Sequence, residues 1–433
     1  MRQLAGTKTR YRRAHATPLA GLISGRAEST IVGQSAEFSN CNGSMRIAHI
    51  ITRLIIGGAQ ENTLFNVDDQ HHLFNDEVCL IAGPGLGPEG SLEPKALERG
   101  LDLRVLPELR RNLNPLQDWS SLRAIRRTFA EFAPQLVHTH SSKAGILGRL
   151  AAYQSGIPAV HTIHGASFHY GQNAVAQTAY KWAEKRAAHW CQHYITVCDA
   201  MTDQYVKAGI AGREKFTTIY SGMDVDHFLT PRRDPASLRK ELGFSLHDIV
   251  LGKVARLFHL KGHEYLIEAA PQVVKALPNV RFLLVGDGIL KARFQTRIAE
   301  LGLTKHFVFA GLVAPEAVGD YLHAMDVVVH TSVWEGLARV LPQGSIAGKP
   351  LISFAIDGAP EVCVPEETGL LVEPRNVPQL AEAMIRLAQD AALRQRLGAT
   401  GRDRFTEQFR HQNMTRQIRD VYARVIEDAD SRH

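Results

Sequence analysis

The sequence predicts an α/β protein made of two doubly wound parallel sheets whose ligand edges face one cleft. Short apolar runs alternate with longer amphipathic stretches along most of the chain, the punctuation of repeated βαβ units. The alternation forms two series, divided by a Pro- and Arg-rich stretch between Ser221 and Asp248. At 433 residues the chain exceeds a single core, since about 100–200 residues is usual for one domain. The expected divisions are an extension over 1–44, a first domain over 45–222, a linker with a short helix over 223–248, a second domain over 249–401, and a closing helix and tail over 402–433.

Residues 1–44 are rich in Gly, Ser, Thr, Arg and Ala without a sustained period, the composition of a disordered segment. Met45 reads as a second possible start of translation. The first series of strands is expected at 46–51, 77–81, 136–138, 159–162, 194–197 and 216–219. Between them, residues 119–132 set Leu122, Ile125, Phe129 and Phe132 on one helical face. The second series is expected at 249–254, 280–285, 307–309, 327–330 and 351–354, with a helix over 264–277. A polar amphipathic helix over about 402–428 closes the chain.

Composition narrows the function. Hydrophobic residues make up 45%, ordinary for a soluble globular protein. No run approaches the roughly 18 apolar residues of a membrane span, and no apolar segment follows the basic start as a secretory signal would require. Of the net charge of +6, most lies in residues 1–44, which carry six basic and two acidic side chains; the rest holds 44 basic against 42 acidic. The folded body therefore offers no strongly basic surface, and no nucleic-acid partner is expected. Cys41, Cys79, Cys191, Cys198 and Cys363 are few, odd in number and widely spaced, which suits a reduced, cytoplasmic compartment.

The segment from Trp334 to Gln343 follows the run Val327-Val328-Val329 and precedes a Gly348-Lys349-Pro350 turn. A strand delivers Glu335 to its carboxyl end, Gly336 allows close backbone approach, and a helix then starts. In an open α/β sheet that edge is the ligand crevice, and a helix N-terminus there attracts an anion, often phosphate. A carboxylate for hydroxyls beside a dipole for phosphate suits a nucleotide-sugar. Arg256 and Lys261 follow the strand 249–254 in a short loop; Arg grips phosphate oxygens bidentately and Lys adds a point charge. The spacing alone fits a solvated loop equally well.

Gly57-Gly58 follows the first strand and lets backbone N–H groups approach a phosphate or sugar, although a tight βα turn also needs glycine. The spacing is not Gly-x-Gly-x-x-Gly, which counts against a dinucleotide site. His138, His140, His161 and His164 end two strands of the first domain. No carboxylate or cysteine accompanies them as a metal site would ask; hydrogen-bonded structural roles are the plain reading, with His164 beside Gly165 the functional candidate. Gly286-Asp287-Gly288 could wrap a base or ribose, or simply turn the chain. The triplets Asp224-Val225-Asp226 and Asp428-Ala429-Asp430 lie in the linker and the tail, away from strand ends, so neither is expected to hold a metal.

Taken together, Gly57-Gly58, His161-Thr-Ile-His164-Gly165, Tyr220-Ser-Gly-Met-Asp224, Arg256 with Lys261, Gly286-Asp-Gly288 and the Glu335 segment with Gly358-Ala-Pro-Glu361 resemble the retaining glycosyltransferases of family GT4, with the two-domain GT-B fold. The likeness spans nearly all of residues 45–428. It implies a nucleotide-sugar donor on the second domain, an acceptor on the first, a final helix that crosses back, and catalysis without bound metal or other cofactor. By that resemblance Arg256 and Lys261 hold the diphosphate, Glu335 binds sugar hydroxyls, the backbone of Gly336, Leu337, Ala338 and Arg339 meets sugar and phosphate, and His164 contacts the sugar from the opposite domain. Gly57, Gly58, Gly286 and Asp287 complete the donor set. Gln343 stands where the family pattern has a second glutamate for the ribose; it keeps one carbonyl acceptor and loses the charge. Arg339 could offset that loss with a donor near the phosphate.

The implied activity is transfer of a sugar from a UDP-sugar to a glycan or lipid-linked acceptor in the cytoplasm. A nucleotide-sugar epimerase of the same fold and a non-catalytic nucleotide-sugar binder are the alternatives. The basic, amphipathic stretch holding Arg110, Arg111, Arg123, Arg126 and Arg127 suits peripheral contact with anionic membrane, or an ordinary solvated helix face.

Overall fold

Strands that are apolar on both faces can be satisfied only inside a sheet covered by helices on each side. The computed structural model, which describes residues 43–87, 90–168 and 173–431, builds two such sheets. The expected extension, apart from Gly43 and Ser44, and Cys41 fall outside those residues.

The first sheet contains β1 (Arg46–Ile51), β2 (Glu77–Ala82), β3 (Asp102–Val105), β4 (Leu136–His140), β5 (Ala159–Ile163), β6 (His193–Thr196) and β7 (Phe216–Thr218), in the order β3-β2-β1-β4-β5-β6-β7. The second contains β8 (Ile249–Val254), β9 (Val280–Val285), β10 (Phe307–Gly311), β11 (Val327–His330), β12 (Leu351–Phe354) and β13 (Gly369–Val372), in the order β10-β9-β8-β11-β12-β13. All pairings between these strands are parallel. Each order reverses once, between β1 and β4 and between β8 and β11, and the crevice at such a reversal is where open α/β sheets take ligands.

Two strands go beyond those expected. β3 is an edge strand with no fully buried residue, and β13 is four residues long, so neither produces a long apolar run. The linker holds two short helices, Asp226–Leu229 and Pro235–Glu241. The closing helix starts at His411, not near 402: residues 402–405 finish the helix Ala391–Phe405. No Gly or Pro lies between Arg402 and His411, so the pattern reads straight through. Phe405 and Phe409, edge to face at 5.9 Å, are sunk in the core of the second sheet and pin the turn there.

The closing helix His411–Asp430 returns to the first sheet. Asp69, on the first helix Gly58–His72, accepts from His411 Nδ1 and Thr415 Oγ1, each at 2.8 Å. Asp76 accepts from Arg419 Nε at 2.8 Å and Nη2 at 2.9 Å, a buried bidentate pair. Among the described residues no helix is long and apolar enough to cross a membrane, and Cys79, Cys191, Cys198 and Cys363 are buried free thiols.

Candidate active site

The candidate residues gather at the two reversal points. Arg256 and Lys261 follow β8, and Glu335 follows β11, its neighbour. Gly57 and Gly58 follow β1; His138 and His140 lie in β4; His164 is the first residue beyond β5.

Lys261 Nζ donates to Glu335 Oε1, with each side chain about three-quarters buried (24% and 22% exposed). Their loops are laced together. Thr331 Oγ1 donates to the Gly262 carbonyl at 2.6 Å, and Val333 N–H to the Leu260 carbonyl at 2.9 Å. Gly262 has φ +68°, and a Cβ there would lie 1.8 Å from the Thr331 carbonyl oxygen, so only glycine lets the two loops close. Glu335 is steadied further by its own N–H, which donates to Asp357 Oδ2 at 2.9 Å. Burial raises the Asp357 carboxyl above its ordinary range, against the Glu335 N–H, which lowers it, and with a smaller push upward from the Glu335 charge.

Arg256 is exposed, its guanidinium 5.1 Å from the Phe258 ring centre. Its loop is stitched to Gly286-Asp287-Gly288, where Leu257 N–H donates to the Asp287 carbonyl at 2.9 Å and Leu290 N–H to the Leu257 carbonyl at 3.0 Å. The Asp287 carboxylate is turned onto its own loop. It accepts from the Gly288 N–H at 2.7 Å and from Lys291 at 3.1 Å, and these bonds lower its pKa.

The helix after Glu335 begins at Val340, later than the sequence suggests. Gly336, Leu337, Ala338 and Arg339 form a loop, with Arg339 at the N-cap; Gln343 sits half-buried in the helix. Gly336 lies against the first domain: a Cβ there would be 2.7 Å from Met201 and 3.2 Å from the His164 carbonyl oxygen. Arg339 reaches across the cleft, donating to the Gly58 carbonyl at 3.1 Å and pairing with Glu61 at 2.8 Å.

His164 lies 3.1 Å, Nε2 to Nδ1, from His140. Burial, and then the charge of Arg339, push its pKa down to about 4. His138, His140 and His161 are buried and held well below the ordinary histidine range, chiefly by burial. The whole set is neutral at pH 7.

Three contributors escape the sequence reading. His49, in β1, places one ring nitrogen within 4.8 Å of one from His138 and one from His140; in sequence it is one polar residue in an apolar strand. Glu361 and Tyr220 link the domains: the Glu361 carboxylate accepts from the N–H groups of Asp199 and Ala200, both at 3.0 Å, and from the Tyr220 hydroxyl at 2.9 Å. Both stand inside motifs picked out from the sequence, which say nothing of this contact. Asp224 pairs with His227 at 2.5 Å and Asp226 with Arg410 at 3.4 Å, while Asp428 and Asp430 fall in the last turn of the closing helix.

The chain belongs to the glycosyltransferases: residues 74–227 match Glycosyltransferase Family 4 and residues 235–404 match Glycosyl transferases group 1. It is 27% identical over 395 residues to the UDP-Gal:alpha-D-GlcNAc-diphosphoundecaprenol alpha-1,3-galactosyltransferase of Escherichia coli, covering 89% of this chain and 98% of that one. It is 25% identical over 336 residues to the 2-deoxystreptamine glucosyltransferase of Streptomyces kanamyceticus, covering 73% and 85%. The crystal structure of the Anabaena protein HepE in complex with UDP superposes with a TM-score of 0.75 at 22% identity, covering 88% of this chain and 100% of that one. The fold is GT-B.

Proposed function

We propose that this glycosyltransferase moves a sugar, with retention of anomeric configuration, from a UDP-sugar to a lipid-linked glycan acceptor in polysaccharide or glycoconjugate synthesis. The observation that carries the reading is the convergence of Arg256, Lys261 and Glu335 at the β8/β11 reversal. As the bond between the anomeric carbon and the phosphate oxygen breaks, negative charge grows on the diphosphate. Arg256 and Lys261 stabilise that charge, a type of interaction worth about 10²–10³ in rate per donor. The acceptor oxygen bonds to the anomeric carbon from the same face, and its proton passes to the departing phosphate oxygen. No protein nucleophile and no metal take part.

In this reading donor binding draws Lys261 from Glu335 onto the diphosphate and leaves the Glu335 carboxylate to accept from sugar hydroxyls. Backbone amides of Gly336, Leu337, Ala338 and Arg339, with Gly57 and Gly58 opposite, line the sugar and phosphate. Gly286 and Asp287 border the nucleoside, Gln343 accepts from the ribose, and His164 meets the sugar from the first domain. The E. coli relative, matched over 98% of its length, supports both the UDP donor and the lipid-linked acceptor. The lipid-linked acceptor is supported also by Leu113, Leu116 and Trp119, which stand 85%, 80% and 58% exposed near Arg110, Arg111 and Arg123. That mixture suits a face resting on anionic lipid at the cytoplasmic side of the membrane.

Incubation with UDP-sugars and a polyprenyl-diphosphate-linked saccharide should release UDP and extend the acceptor, with or without chelator. Proton NMR of the product should show the donor's anomeric configuration. Conversion of the donor without acceptor would favour the epimerase instead, and donor binding without transfer to any acceptor would leave only a binding protein.

A further inference from the structure

We propose that His49 and His140 are positioning residues for the reaction: a directed chain of buried imidazoles that holds His164 in one tautomer, with Nε2–H turned inward and the Nδ1 lone pair open to the cleft. The proposal rests on the reading above, in which His164 faces the donor sugar.

The sheet order makes the chain. β1, β4 and β5 are neighbours, so His49, His140 and His164 follow one another across the strand ends. His49 Nδ1 lies 3.1 Å from His140 Nε2, and His140 Nδ1 lies 3.1 Å from His164 Nε2. The rings are near parallel in both steps, with centres 5.4 Å apart each time. At the inner end His49 Nε2 is 3.2 Å from Gln70 Oε1.

That amide gives the chain its direction. The Gln70 nitrogen donates to Asn66 Oδ1 at 2.8 Å, so its oxygen faces His49 and can only accept. A neutral imidazole has one donor and one acceptor nitrogen. His49 must therefore carry its proton on Nε2 and accept on Nδ1; His140 must donate from Nε2 and accept on Nδ1; His164 must donate from Nε2. One glutamine on the first helix thus sets the tautomer of a histidine three residues along the relay. Burial of His49 and His140 keeps both rings neutral and the direction intact.

His138 stands beside the chain, its ring centre 4.1 Å from that of His140. Its Nδ1 is 2.5 Å from the Tyr422 hydroxyl of the closing helix and its Nε2 is 2.7 Å from Thr162 Oγ1. All six ring nitrogens of His49, His138 and His140 are thus engaged in hydrogen bonds. That favours a hydrogen-bonded network over a metal centre, which would need free lone pairs from each ring. The functional consequence is selectivity: an acceptor nitrogen fixed in the cleft takes a hydrogen bond from a sugar hydroxyl and has none to give to a ketone, ether or fluorine in its place.

The test is a two-bond proton–nitrogen correlation spectrum of the full-length protein with ¹⁵N-labelled histidine, the His164 signals being assigned by their loss in His164→Gln. The expected spectrum has neutral His164 protonated on Nε2. His140→Leu should populate the other tautomer and lower kcat by about 10-fold with a smaller change in donor KM, the usual range for loss of a group that orients a ligand. His140→Gln, whose amide both accepts and donates, should recover most of the rate. Gln70→Met, at the far end, serves as a second break in the chain. A cationic or Nδ1-protonated His164 in the unmodified protein, or a tautomer unmoved by both His140→Leu and Gln70→Met, overturns the proposal. If the tautomer behaves as stated but turnover is indifferent to these changes and to His164→Gln, the relay stands and the placement of His164 at the sugar fails.

Discussion

Arg339 Nη1, on the segment that carries Glu335, lies 2.8 Å from Glu61 Oε2 on the first helix of the other domain. Gly58 makes room for it, since a Cβ there would come within 3.0 Å of Arg339 Cδ. The arginine thus spans the cleft, engaged with Glu61 and the Gly58 carbonyl. Both side chains are about three-quarters buried, with 21% and 26% exposed. A double-mutant cycle of Arg339→Ala and Glu61→Ala should give a coupling of about 0.5–1 kcal/mol in thermal unfolding. Arg339→Ala should also let the His164 pKa rise from about 4, as its charge is the second cause of the depression after burial. An NMR titration of His164 measures that. Donor Kd in the same variant tests whether Arg339 compensates for Gln343: an unchanged value removes that role.

Lys261→Met should lower kcat by about 10²–10³, because a cation that stabilises the leaving diphosphate matters most as the bond breaks. Glu335→Gln keeps the shape of the side chain but loses the charge that binds hydroxyls most strongly, so it should raise donor KM as well as lower kcat. Steady-state kinetics with saturating acceptor separates the two. Equal effects of both changes on KM alone would contradict the roles assigned.

Acid should destabilise the first domain before carboxylate titration is complete. An unfolded histidine takes up its proton near pH 6.5, whereas burial holds native His49 and His164 near 4 and His138, His140 and His161 well below 6.5. Between those limits the unfolded chain binds more protons than the native one, so stability falls as pH drops from about 6.5 to 4. Scanning calorimetry across that window should show Tm decreasing steadily, with little histidine-linked change above it.

Lys253 Nζ is buried in β8 with no hydrogen-bond partner. Burial and the neighbouring Lys261 lower its pKa to about 7, against a smaller pull from Glu335. Lys253→Met fills a similar volume and removes the unsatisfied group, so it should stabilise the protein by about 1–3 kcal/mol at pH 7. From about pH 7 to 10.5 the unfolded lysine keeps a proton that the native one has shed, so the parent gains stability as pH rises. The advantage of the variant should therefore shrink by pH 9, as read from urea denaturation at both values.

Arg419→Met should be costly at the other end of the chain. It leaves Asp76, fully buried, without the guanidinium that holds it, a change worth about 3–5 kcal/mol. Loss of the bidentate pair also removes one of the ties that hold the closing helix to the first domain, leaving those of His411 and Thr415 to Asp69 and of Tyr422 to His138. Chemical denaturation should show the lower midpoint, and limited proteolysis should cut first around residues 411–430.

The sheets were readable because a strand covered on both sides must be apolar throughout; Ile249–Val254, Val280–Val285, Val327–His330 and Leu351–Phe354 match their expected limits. The edge strand β3 escaped because half-exposed residues carry no such signature. The charged members of the candidate site, Arg256, Lys261 and Glu335, were legible from their place at strand ends, and the structure brings the last two into contact. The start of the helix at Val340 was not, since nothing in Gly336–Arg339 distinguishes a loop from a first turn. Nor were the roles of His49, Glu361 and Arg339, which depend on residues 91, 162 and 278 positions away; periodicity is local, and such contacts are set only when the two sheets meet.

Glu361 of the second domain supplies the carboxylate at the amino end of the helix Asp199–Lys207 in the first, where Asp199 and Ala200 N–H groups point at it. A helix start stripped of such a group exposes unpaired N–H donors to water. Any swing that parts the domains at this point must therefore uncap that helix, and any return must recap it. The two amides are a built-in gauge of cleft opening: their hydrogen exchange should slow when ligand shuts the cleft, long before a change in overall shape is large enough to detect.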